Sequence, residues 1–194
     1  MLSCRMARGP ADTSERILDV AERLVQTRGF NGFSYADIAE ALDVTKASLH
    51  YHFPSKADLG KRLIERYEET FLATLQTIDA AGAAPREKLK RYAQVYADVL
   101  RDNRMCLCGM LASDYATLPK AMKEEVKHFF DENEQWLAAV LEQGRKNGSL
   151  QFKGSAVALA QAIVGSLEGA MMLARSYGDA SRFDTAAERL IASL

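Results

Sequence analysis

The chain has 194 residues, 48% of them apolar, and 25 Lys and Arg against 26 Asp and Glu give it a net charge of −1. That length and apolar content suffice for a sizeable core, in one large or two small domains, and exclude a disordered chain. The balance also excludes a global basic signature of nucleic-acid binding: residues 1–66 hold ten basic and nine acidic side chains, so any such role must rest on local placement.

Cys4, Cys106 and Cys108 are too few and too odd in number for a disulfide framework, which fits a reducing compartment. The first ten residues lack a signal-peptide core and no run of eighteen apolar residues occurs, so a cytoplasmic protein with no membrane partner is expected. Four prolines, long amphipathic repeats and few β-branched runs predict an all-α fold of about nine helices.

Residues 1–11 read as a flexible arm, in which Arg5 and Arg8 are candidates for a phosphate or minor-groove contact. Asp12 and Glu15 are placed to open a first helix as a capping box, with Ile17, Ala21, Leu24 and Val25 on its core face and Arg28-Gly29 at its end. Phe30 and Phe33 pack the turn that follows.

Residues 34–53 read as two short helices joined by a tight turn. Ser34 and Asp37 form a capping box, Ile38, Ala39 and Leu42 an apolar stripe, and the helix should stop near Asp43. Val44 is expected to be the buried turn residue and Thr45 the next N-cap, with Pro54 ending the second helix. At about 100° per residue, Leu49 and Phe53 point to a core while Ala47, Ser48 and Tyr51 point away, with Thr45, Lys46 and His52 at the margins. No acid lies between Val44 and Ala57, so such a helix can enter a major groove about 12 Å wide without repelling phosphate. A helical corner with a solvated outer face has the same spacing.

Ser55 and Asp58 cap a fourth helix running to about residue 79, with Lys56 in its first turn, where free amides favour an anion. After a linker at residues 80–85, Leu89, Tyr92, Ala93, Tyr96, Val99 and Leu100 mark a fifth helix that Asn103-Arg104 breaks. Residues 105–119 are apolar and sulfur-rich. A long helix is expected over residues 119–146, with Phe129, Phe130, Trp136, Leu137, Val140 and Leu141 inward. Another follows from Ser155 to about residue 177, and a last one from residue 183 to 194. In the penultimate helix Ala158, Ala162, Gly165 and Gly169 place small residues along one side, which suits close helix approach within one subunit or between two.

Gly29-Phe30, Ile38-Ala39, Val44-Thr45-Lys46-Ala47-Ser48-Leu49 and above all His50-Tyr51-His52-Phe53-Pro54-Ser55-Lys56 resemble the N-terminal DNA-binding domain of TetR-family transcriptional regulators. The resemblance covers residues 13–67. Ala47 stands where a glycine is frequent and His50 where an aromatic is frequent. The resemblance implies a helix-turn-helix domain over residues 12–54 and a ligand-binding and dimerisation domain over 55–194, dimerised through the last two helices. It further implies a regulator, expected to be a repressor, that binds a pseudo-palindromic operator in double-stranded DNA and is released by a small-molecule effector. Ser34, Tyr35, Thr45, Lys46, Ala47, Ser48, Tyr51, His52 and Lys56 are the candidate DNA contacts. Tyr92, Tyr96, Met105, Cys106, Met110, Tyr115, Phe129, Trp136 and Met172, with Phe130 and Met171 beside them, are the candidate walls of an effector pocket suited to an apolar or aromatic ligand.

Three other readings compete. Cys106 or Cys108 as a thiol sensor for electrophiles or oxidants needs a lowered thiol pKa, which Arg104 nearby would favour and apolar surroundings oppose. Glu125 and His128 have the Glu-X-X-His spacing of helical di-iron sites, but only one copy occurs. With no phosphate loop, nucleophile elbow or zinc-protease helix, no enzyme, cofactor or metal is expected. A helical adaptor without DNA binding would leave the outward face from Thr45 to Lys56 idle.

Overall fold

Apolar residues spaced three and four apart wind the chain into helices that bury those stripes against one another. The computed structural model describes residues 10–194, with side chains from Thr13 onward. Among them are nine α-helices: α1 Pro10–Arg28, α2 Tyr35–Leu42, α3 Lys46–His52, α4 Lys56–Ala80, α5 Pro85–Arg101, α6 Leu107–Ser113, α7 Lys120–Lys146, α8 Ala156–Tyr177 and α9 Ser181–Ala192. Two short 3-10 turns, Phe30–Gly32 and Tyr115–Thr117, complete the path. Cys4, Arg5 and Arg8 lie outside the described residues. So does the Asp12 side chain of the expected first capping box; Pro10 and Ala11, assigned to the arm, stand in the first turn of α1.

Local sequence signals set most helix ends. Ser34 and Asp37 form the expected capping box on α2, and Ser55 and Asp58 form the same device on α4. Ser155 caps α8 by accepting from the Ala158 amide at 3.0 Å, and Gly178 ends it in the left-handed region. α9 begins at Ser181, two residues ahead of expectation, because Asp179 accepts from both the Ser181 amide and hydroxyl.

The long α4 belongs to both halves. Toward the N-terminus, its Arg66 reaches Glu15 at 3.1 Å, Asp19 at 2.8 Å and Glu22 at 2.8 Å on α1. Toward the C-terminus its Phe71 sits edge-on to Phe129 of α7 at 5.2 Å and to Tyr92 and Tyr96 of α5 at 6.1 and 6.2 Å. α7 and α8 pack along their lengths and α9 closes the side of α5 and α8.

Candidate nucleic-acid interface and effector site

The reading head is built on two anchors. Leu49 and Phe53 are buried beneath α3, which leaves Thr45, Lys46, Ala47 and Tyr51 in solvent and Ser48 and His52 half-exposed. Tyr51 is 79% exposed, with its ring edge-on to His52 at 5.2 Å. The turn between α2 and α3 works as the spacing predicts. Asp43 takes a left-handed conformation at φ 54°, the Val44 amide donates to the Ala39 carbonyl at 3.0 Å, and the Thr45 hydroxyl accepts from the Ser48 amide at 3.2 Å. Val44, expected to be buried, is half-exposed. Ser34 remains at the surface, accepting from the Ala36 amide and donating to Asp37.

Two expected DNA contacts face inward instead. Tyr35 is buried: its hydroxyl donates to the Phe53 carbonyl at 2.8 Å, pinning the end of α3 to the start of α2, and burial with the nearby Asp58 pushes its pKa up to about 12. Lys56 is half-buried and turned back onto the preceding turn. Its ammonium donates to the carbonyls of Phe30 and Phe33 and lies 4.6 and 4.1 Å from the centres of those two rings. Burial pulls its pKa below the usual lysine range, with Asp114 and Asp37 opposing. Lys56→Ala leaves those two carbonyls without a donor, so a loss of about 1–3 kcal/mol in stability is expected, with the salt dependence of DNA binding unchanged. A thermal melt and a salt titration check both halves of that statement.

The turn held by Lys56 is held from the other side as well. The Asp114 carboxylate accepts from the Phe30 amide at 2.7 Å and the Asn31 amide at 3.3 Å, and the Asn31 side chain donates to the Thr117 hydroxyl at 2.8 Å. Gly29 adopts φ +79°, and a Cβ there would stand 2.9 Å from the Asp114 carboxylate, so only glycine fits. One turn earlier, the Gln26 carbonyl accepts from the Met105 amide at 3.1 Å and from Arg175 of α8 at 3.3 Å, while its side-chain oxygen accepts from Arg104 at 2.9 Å. The reading head is thus fastened to α6 and α8. Sequence spacing could not find these residues, although an acid inside the apolar segment before Pro119 was a signal.

The expected effector walls divide. Tyr92, Tyr96, Met105, Cys106 and Phe129 are buried, and the Tyr92 hydroxyl donates to Asn133 at 3.0 Å and lies 3.1 Å from the Tyr96 hydroxyl. Trp136 stacks on Tyr92 at 5.6 Å and donates to Asp79 at 2.9 Å. Met110 is half-buried beside Arg175, and Phe130 is half-buried against Phe129. Tyr115 and Met172 are corrections: 50% and 54% exposed, they lie outside the core because the 3-10 turn swings Tyr115 outward and Met172 stands on the far side of α8. A small cavity of about 10 Å³ is lined by Tyr67, Phe71, Val95, Tyr96, Val99, Cys106 and Met171. A cleft of about 180 Å³ between α1, α4 and α5 shares Tyr67, Phe71, Val95 and Val99 with it and reaches the surface at Thr70, Thr74 and Arg104. A larger groove of about 620 Å³ between α5 and α9 is rimmed by charged side chains and crossed by the Arg101–Asp184 pair.

Cys106 and Cys108 are both buried, and burial, reinforced by Glu168, pushes both thiols well above the usual range. Such thiols are poor nucleophiles at neutral pH, which counts against the sensor reading. Glu125 pairs with Lys61 at 3.5 Å and His128 with Glu68 at 3.8 Å, and no cluster of three or more potential metal ligands occurs among the described residues.

α8 leaves an apolar face uncovered. A Cβ at Gly165 or Gly169 would meet nothing within 4 Å, and Ala158, Ala162, Met172, Leu173 and Tyr177 continue that face in solvent. By length and composition α8 could cross a membrane, and only 33% of its most apolar stretch is buried. The small-residue side is therefore not used for packing within the subunit.

Comparison with known proteins accounts for both halves of this arrangement. Residues 17–63 match the profile of bacterial regulatory proteins of the tetR family, and residues 85–190 match a tetracyclin repressor-like C-terminal domain. A TetR-family regulator from Agrobacterium tumefaciens is 34% identical and superposes with a TM-score of 0.93 over 96% of this chain and 99% of that one. A TetR regulator from Legionella pneumophila is 36% identical, with a TM-score of 0.86 over 97% of this chain and all of that one. The transcriptional repressor DhaR of Mycobacterium sp. (strain GP1) is 25% identical over 171 residues, 86% of this chain and 83% of its own. The helix-turn-helix built on Leu49 and Phe53 and the helical bundle behind it each match that family's profiles, and the protein belongs to the TetR family of DNA-binding transcriptional regulators.

Proposed function

We propose that two copies of this protein seat their α3 helices in successive major grooves of a pseudo-palindromic operator, repress transcription there, and let go when a small molecule enters the aromatic core. The observation that carries the reading is the outer face of α3: exposed, free of acids, and fixed from beneath by two buried anchors. Thr45, Lys46, Ala47, Ser48 and Tyr51 meet base edges and the adjoining backbone, and Ser34 and His52 flank them as contacts to the phosphates. The open face of α8, with α9 beside it, supports dimerisation through the last two helices. One short reading helix offers few contacts, and a two-fold axis doubles them.

The ties from Asp114, Arg104 and Arg175 to the end of α1 support a route from core to head. An effector that binds one arrangement of the two heads better than the other shifts the population by that difference in affinity, and one with equal affinity shifts nothing. Fluorescence anisotropy on operator variants tests the contact set. Ser48→Ala should change the ranking of variants at one position by about 1–3 kcal/mol, whereas Lys46→Ala should weaken all of them alike and lower the salt slope by about one. Equal loss on every variant for Ser48→Ala would remove that residue from the base-reading set.

A further inference from the structure

Among the described residues three polar side chains are buried, and two of them are fully paired: Lys88 donates to Asp79 at 2.6 Å, while Asn133 accepts from Tyr92 and donates to the Phe129 carbonyl. The third, Gln26 near the end of α1, is only half paired. Its side-chain oxygen accepts from Arg104 at 2.9 Å, and because a guanidinium can only donate, this fixes the amide with its NH2 on the other side. That NH2 is closed to solvent and has no acceptor. A buried donor left unmade is unfavourable, and the group that completes it is an oxygen.

Gln26 is also a wall of the cleft of about 180 Å³ between α1, α4 and α5. Other donors around that space are taken, the Thr70 and Thr74 hydroxyls by carbonyls one turn earlier on α4 and the Arg104 guanidinium by Gln26 and Asp102. The two charged walls are opposite in sign and already matched, Glu22 with Arg66 at 2.8 Å and Arg104 with Asp102 at 2.7 Å. An anion in the cleft would meet Glu22, and a cation would meet Arg104. Tyr67 and Phe71, with ring centres 6.4 Å apart, and two valines supply its apolar walls.

We propose that the effector is a small neutral molecule with an apolar body and an acceptor oxygen, bound in this cleft with its oxygen on the Gln26 amide. This rests on the effector reading above and gives the ligand its polarity and its place. The body leaves water for the faces of Tyr67 and Phe71, the oxygen completes the amide, and neither charged wall is opposed. The cleft is well below the roughly 300–1,000 Å³ of drug-sized sites, so the ligand has on the order of ten heavy atoms. Gln26 also joins the site to the reading head, since its carbonyl is where Met105 and Arg175 fasten α1. A ligand on its side chain binds at the tie itself.

Acetophenone and α-methylstyrene share one shape, and only the first carries an acceptor oxygen. Isothermal titration of the full chain should show both binding to the wild type. Gln26→Glu keeps the oxygen that Arg104 holds and puts a second acceptor in place of the NH2; it should weaken acetophenone by at least about tenfold and α-methylstyrene by no more than about threefold. Gln26→Met, which offers the ligand no donor, should show the same selective loss and keeps the test decisive if circular dichroism finds the Glu variant unfolded. Benzoate, similar in size but charged, should bind the wild type at least about tenfold more weakly than acetophenone. Failure of acetophenone to bind the wild type, equal losses of the two uncharged compounds in the variants, no loss in either variant, or benzoate binding as tightly as acetophenone would each overturn the proposal. Release of the operator by a small molecule whose affinity is unchanged in both Gln26 variants would move the effector away from this cleft and leave the effector reading standing; failure of any small molecule to release the operator would remove the effector reading itself.

Discussion

Replacing Leu173 with glutamate should split the protein into monomers and weaken its hold on a duplex carrying two half-sites by at least a hundredfold. Leu173 is 60% exposed in the single chain and sits on the open face of α8 beyond Gly165 and Gly169. In a symmetric dimer each substituted residue meets the same patch on its partner, so the change puts two like charges into an apolar contact. Burying an unpaired carboxylate costs several kcal/mol, and about 1.4 kcal/mol is already tenfold in an equilibrium constant. The subunit itself should stay folded, since Leu173 is more than half exposed in the single chain. Sedimentation velocity and anisotropy on the same samples check both effects. A dimer that persists with wild-type affinity would move the interface away from α8.

Glu168→Gln should make the protein more stable at pH 8, by about 3 kcal/mol at most and by less at pH 5. The folded pKa of Glu168 lies near 7, above the ordinary 4.5. Between those values the folded state binds more protons than the unfolded one, so its stability falls as pH rises from about 4.5 toward 7 and then levels off. At about 1.4 kcal/mol per pKa unit the full span is roughly 3 kcal/mol, or several degrees in melting temperature for a chain of this size. The groups facing Glu168 do not imitate this slope. Cys106, Cys108, Tyr67, Tyr92 and Tyr96 are all pushed up and stay neutral over that range. Glu68 of α4, also raised by burial, adds a slope of the same sign that the variant retains. Melting curves of wild type and variant from pH 5 to pH 8 should converge at the acid end and part at the alkaline end; parallel curves would contradict the assignment.

What could be read from the sequence was whatever a short window decides. The capping boxes at Ser34 and Ser55, the N-cap at Thr45 and the Leu49–Phe53 anchors each depend on residues three or four apart, and together they specify the reading head. Lys56 and Tyr35 went the other way because their partners are distant in sequence. The carbonyls that Lys56 holds are 26 and 23 residues away, and no helical wheel places them beside it. Asp114 acts across 84 residues. Met172 shows a second limit: α8 is apolar on more than one side, so periodicity marks its faces without saying which one the same subunit covers. Glu168 shows a third, since a single acid in an apolar helix looks the same whether its carboxyl reaches solvent or the core.

The central claim is that two copies of α3 enter successive major grooves on one face of a duplex. Hydroxyl-radical footprinting of the full chain on a fragment it selects from genomic DNA measures this directly. Two protected half-sites should appear on the same face, centred about 10 base pairs or a multiple of that apart, and should survive random competitor DNA. A single protected half-site, or no protection above that on competitor, would contradict the account.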